Sequence, residues 1–208
     1  LSYLLWNAWY LLAERDPVRM ELTGFRKFTL GMTVMLCIQI IFGALVSGME
    51  SARAYPTWPD MNNAFIPSIM LDSANWSWSA FVNFNKAALP HAVVQFLHRN
   101  MAYLIVLLAI PYTYLGLKRL PKEKSSTTRL GLLTVPLILF LQASLGVSIL
   151  LNTTAQIPVG LGVIHQAGAI LLLAAMLFMN YRLGGKVPAE ESASKKPATT
   201  QTEALQEA

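Results

Sequence analysis

The chain has 208 residues, 54% of them hydrophobic and only 13% charged, with a formal net charge of +5. Soluble domains carry about 25% charged residues, so the composition excludes an ordinary water-soluble domain. The single cysteine, Cys37, excludes an intrachain disulfide and any Cys-x-x-Cys redox or zinc motif.

Residues 1–13 are apolar but too few to cross a bilayer, which takes about 20 residues. They are expected to be the end of a preceding transmembrane helix whose start lies outside this sequence. Residues 14–27, with Arg15, Arg19, Arg26 and Lys27, are expected to form a cytoplasmic linker. The first span covers 28–49, and within it Cys37 reads as a buried free thiol. A long connection, 50–89, then carries Trp58, Phe65, Trp76, Trp78, Phe81 and Phe84. Aromatic residues settle at the membrane interface. This loop should therefore lie on the bilayer surface, include a short amphipathic helix and cap what lies beneath. Glu50, at its start, reads as a solvated interface residue.

The second span covers 91–117, with Pro90 at a favourable first-turn position. A basic connection follows, with Lys118, Arg119, Lys122, Lys124 and Arg129. The third span covers 130–151 and the fourth 159–181, joined by the short turn 152–158. All four must be helices, because lipid leaves no partner for an unpaired backbone group. Pro111 and Pro136 fall inside spans, where kinks are expected. The tail, 184–208, is rich in Ala, Glu, Lys, Ser and Thr and should be a disordered cytoplasmic segment.

Lys and Arg crowd the two chain ends and the 118–129 connection, while the other connections carry only Arg53 and Lys86. Positive loops stay in the cytoplasm, so both ends are expected there and 50–89 on the other side. The positive balance is then a topology signal and calls for no nucleic acid. The expected fold is an all-α membrane protein, a four-helix transmembrane bundle over 28–183 made of two similar hairpins. Gln39-x-x-x-Gly43 in the first span matches Gln142-x-x-x-Gly146 in the third. Phe96-Leu97-His98 with Ala102 matches Val163-Ile164-His165 with Ala169. The glycines would let neighbouring helices approach closely, although membrane spans are rich in Gly and Ala anyway.

His98 and His165 are the candidate metal ligands. Ionisable side chains inside a membrane are costly, and a functional role is the default reading. Each lies about six or seven residues into its span from the same side, so both sit roughly 10 Å deep in one leaflet. Two imidazoles facing each other across a bundle suit the two axial positions of a heme iron. The competing reading is a pair of packed histidines, each satisfied by a backbone carbonyl; equal depth on repeat-related helices favours ligation. Arg99 is a candidate partner for a heme propionate. His91, on nearly the same face as His98 but at the interface, reads as a loop-packed residue, and Tyr103 as packing.

The stretches Gly43-Ala44-Leu45-Val46-Ser47-Gly48, Ala54-Tyr55-Pro56-Thr57-Trp58-Pro59-Asp60-Met61-Asn62, Gln95-Phe96-Leu97-His98-Arg99-Asn100-Met101-Ala102-Tyr103 and Leu161-Gly162-Val163-Ile164-His165-Gln166 together resemble the heme A synthases. The resemblance implies half of an eight-helix fold in the bacterial inner membrane, built from two similar four-helix halves. It implies oxidation of a heme O methyl group to a formyl group, with oxygen from water, in support of cytochrome oxidase assembly. One half holds the heme O substrate and the other a b-type heme that relays electrons. The family's catalytic half has a Glu three residues before its His-Arg pair, where this chain has Gln95. A Gln cannot act as a base, so the chain matches the heme b half, with His98 and His165 as bis-histidine ligands. No catalytic residue is expected here; those are expected in a missing N-terminal half. Implied partners are the bilayer, a heme O synthase or electron acceptor, and a second copy of the chain. A b-type cytochrome subunit without its own catalytic site is the alternative.

Overall fold

The structure, a computed structural model, describes residues 23–84, 86–120 and 126–184. The expectations for residues 1–22 and 185–208 lie outside the described residues. Helix α1 spans Thr23–Gly48, α2 Ser68–Leu71, α3 Trp78–Val82, α4 Ala88–Arg119, α5 Ser126–Leu151 and α6 Val159–Leu183. Among the described residues, four helices (α1, α4, α5 and α6) are long and apolar enough to cross a membrane, and no strand occurs.

Three of these four helices outrun their apolar sequence by a turn or so at the basic end of the bundle. Helix α1 begins at Thr23, inside the stretch read as linker, α4 continues to Arg119 and α5 starts at Ser126. Long basic side chains keep their heads in water while their stems lie along the helix, so charge at a span's end does not stop it. Both α4 and α5 run through their prolines, Pro111 and Pro136.

Helix α1 packs on α4 and α6, and α5 packs on the same two. The order round the bundle is therefore α1, α4, α5, α6, with α4 and α6 on opposite corners. The packed core fills the basic-end half. Phe25 stacks on Tyr112 with ring centroids 5.3 Å apart, and Phe28 meets the same ring edge-on at 5.8 Å. Around them Met32, Leu36, Leu132, Val135, Met176 and Met179 are almost fully buried. Asn180 Nδ2 donates to Thr33 Oγ1 at 2.7 Å, joining α6 to α1.

The opposite half is different. Of the side chains there that face inward, few are large, apolar and buried. Gly43, Gly146, Gln39, Gln142, His98 and His165 lie there instead.

Large apolar residues such as Leu30, Ile41, Leu107, Ile110, Phe140 and Leu171 face outward, the inverse of a water-soluble bundle and the pattern of helices surrounded by lipid. Cys37 is also exposed on that outer face. The expected buried thiol is thus a correction: the apolar run hides it from water by lipid, and the protein core does not contain it.

The connection from α1 to α4 is ordered around two short helices and two single 3-10 turns, Ser51–Arg53 and Ser73–Asn75. The first turn touches α1, α4 and α5. Asn62 takes a left-handed backbone (φ 58°) that asparagine tolerates. Its backbone N–H donates to Thr57 Oγ1 at 2.7 Å and its side chain to the Ala54 carbonyl at 2.9 Å, closing 54–62 on itself. Trp58, Phe65, Trp76 and Trp78 stay largely exposed.

Candidate functional site

His98 comes from α4 and His165 from α6, the two helices on opposite corners. Both side chains lie in the sparsely packed half of the bundle, each beside its own hairpin partner. Each imidazole lies against a glycine of the neighbouring helix in its own hairpin. A Cβ at Gly43 would stand 3.1 Å from His98 Cε1, and one at Gly146 would stand 3.3 Å from His165 Cε1. These glycines were expected to bring helix backbones together; the room they leave is filled by the imidazoles.

The glutamines one turn away also belong to the site. Gln39 Nε2 lies 3.4 Å from His98 Nε2. An amide donor there makes that ring nitrogen the acceptor. Gln142 Nε2 donates to the His165 carbonyl at 2.7 Å, so the matching glutamine fixes the backbone of its histidine instead of the ring. Nδ1 of both rings is buried with no hydrogen-bond partner. Buried polar atoms are rarely left so.

Among the described residues, no three His, Cys, Asp or Glu side chains converge to hold a metal ion. A bare cation would find too few ligands. Two imidazoles suffice for an iron that brings its own equatorial nitrogens, so the donor set fits a porphyrin.

Arg99 is only 6% exposed. Its Nη1 donates to the Asp60 carbonyl and its Nη2 to the Tyr55 carbonyl, both at 2.6 Å. Gln95, one turn earlier and 1% exposed, donates to the same Tyr55 carbonyl at 2.9 Å. Both terminal nitrogens of Arg99 are therefore engaged by the loop, leaving Nε without a partner. This tether went unread in the sequence. The signal for it was present: Gln95 and Arg99 are four apart, so they share a helix face and point two donors at the same place.

His91 Nδ1 lies 3.2 Å from Ser51 Oγ, in the 3-10 turn. Glu50 pairs with Arg53 at 2.8 Å on the exposed rim. Tyr103 reaches the Pro59 carbonyl at 3.4 Å, and Gln166 reaches Ser47 Oγ at 3.5 Å. Burial pushes the Tyr55 hydroxyl above its ordinary range, so it stays a neutral donor at physiological pH.

A family profile described as "Cytochrome oxidase assembly protein" (COX15-CtaA) matches residues 1–177. Relatives named heme A synthase include one from Maricaulis maris, 32% identical over 172 residues, covering 82% of this chain and 46% of the relative. Another, from Flavobacterium psychrophilum, is 33% identical over 188 residues, covering 87% and 50%. A third, from Bradyrhizobium diazoefficiens, is 32% identical over 185 residues, covering 88% and 48%. The chain thus spans about half the length of the curated relatives it matches. No solved structure matches it significantly.

Proposed function

The chain belongs to the COX15-CtaA family of cytochrome oxidase assembly proteins, the heme A synthases, and from that premise we propose that its bundle is the half that carries a b-type heme between His98 and His165. The observation that supports this most is the pair of imidazoles on opposite-corner helices, each set against the glycine of its own hairpin. When bound, such a heme supplies a one-electron centre. The chain's own residues supply the rest. His98 and His165 would hold the heme iron. Gln39 and Gln142 orient one ring and one helix backbone. Gln95 and Arg99 hold the 54–62 loop over that end of the bundle.

The whole protein would oxidise the methyl group of heme O to a formyl group, with the substrate held in the other half. The chain has Gln95 where a catalytic carboxylate would be needed, and Gln95 is occupied as a loop tether, which favours the electron-relay half. The charge pattern supports the orientation. Arg26, Lys27, Lys118, Arg119, Arg129 and Arg182 gather at one end of the bundle, which is then the cytoplasmic end of an inner-membrane protein.

A visible spectrum of the detergent-purified chain tests the proposal. A low-spin b-type spectrum is expected, lost in His98→Ala and in His165→Ala while both proteins still insert. A normal spectrum in either variant would reject that ligand. Heme A production by the full-length protein separates a synthase from a b-type cytochrome subunit.

A further inference from the structure

A cavity of about 470 Å³ opens where α1 ends and α4 begins. Met49, Glu50, Arg53, Tyr55, Lys86 and His91 are among the residues that line it. Its position follows from the hairpin. Met49 lies just past the end of α1, six residues beyond Gly43, and His91 lies seven residues before His98 on α4, the two helices running antiparallel. Seven residues are nearly two full turns, so His91 stands on the same face as His98, about 10 Å further out. The cavity therefore sits directly outward of the Gly43–His98 contact.

Its charge is mostly positive. Arg53 and Lys86 face one carboxylate, Glu50. The Glu50–Arg53 pair is 2.8 Å long, but both side chains are more than half exposed. Such pairs contribute little, so Arg53 is free to turn to a better partner. Lys86 has no ion pair or side-chain hydrogen bond among the described residues. His91 uses Nδ1 toward Ser51 and keeps Nε2 available. Arg99, the more buried cation, has spent both terminal nitrogens on the Tyr55 and Asp60 carbonyls.

We propose that this cavity is the carboxylate-binding site for the propionates of a heme held by His98, with Arg53 and Lys86 neutralising them, His91 donating to them and Arg99 serving as the clamp of the loop beside them. The inference rests on the heme reading above. Charge-assisted bonds from Arg and Lys to carboxylates are among the stronger polar contacts. Tyr55 adds a neutral donor on the same wall.

The test compares heme b with its dimethyl ester, in which the carboxylates are blocked, on the full chain. Soret titration gives affinity, and transfer to excess apomyoglobin gives the rate of loss. Wild type should favour the free acid over the ester. The Arg53→Gln/Lys86→Gln double variant should lose about tenfold of that preference and release heme b faster by a similar factor, with its low-spin band unchanged. The Arg53→Lys/Lys86→Arg variant should keep the preference, which separates lost charge from a disturbed loop. Unchanged preference and release rate in the double variant, with a normal low-spin band, would overturn the cavity assignment and leave the heme reading standing. Wild type that binds no heme, or a His98→Ala protein with the normal band, would overturn both.

Discussion

Gly43 lies against the imidazole of His98, and a Cβ in its place would stand 3.1 Å from Cε1. Real Cβ contacts are seldom so short, so any larger side chain there must push the ring. Gly43→Val should therefore lower heme occupancy several-fold and broaden the low-spin spectrum. Gly48→Ala on the same helix, with nothing within 4 Å of its added Cβ, should leave both unchanged. Equal spectra for the two variants would mean that the glycine does not position the ring.

Arg99→Gln should loosen the outer loop and leave the bundle assembled. The substitution removes two charge-assisted bonds to carbonyls, and an unsatisfied buried polar group costs about 1–3 kcal/mol. Limited proteolysis with subtilisin should show faster cleavage within residues 54–62 than in wild type. Resistance equal to wild type would rule out the clamp.

Leu132 is fully buried in the basic-end core, whereas its neighbour Leu133 is 52% exposed on the outer face. Leu132→Ala should cost about 2–5 kcal/mol and lower the melting temperature in detergent. Leu133→Ala should be close to neutral. A similar loss for both would mean that the packed core is not where the bundle is held.

The Asn180–Thr33 bond joins α6 to α1 at 2.7 Å. Interhelical hydrogen bonds in membrane proteins average about 0.6 kcal/mol in double-mutant cycles. An Asn180→Leu, Thr33→Val cycle should give a coupling of that order, read from unfolding in detergent. A coupling of several kcal/mol would make this bond the main fastening of the two helices.

The spans were legible because lipid imposes a simple rule: a long apolar run must be a helix, and its basic ends need not terminate it. Hence α1, α4, α5 and α6 follow the sequence closely, apart from their basic ends and the start of α4, which lies at Ala88 rather than at residue 91. The location of His98 and His165 in the same half of the bundle was legible, since depth is a count of residues along a helix. The partners of Gln95 and Arg99 were not. Their bonds reach backbone carbonyls of Tyr55 and Asp60, and carbonyls are the same in every residue type, so no side-chain pattern marks them. Cys37 was misread for a related reason. An apolar run is equally apolar whether it faces lipid or protein, and only the packing of α1 against α4 and α6 shows which side a residue is on.

The uneven filling of the bundle has a mechanical consequence. Four rods clamped by Phe25, Tyr112, Leu132 and Met179 at one end, and sparsely filled at the other, act as tweezers. A small rotation at the clamp becomes a larger displacement at the tips, where the two imidazoles sit. A substitution that changes side-chain volume at the grip should therefore be felt at His98 and His165 without touching either.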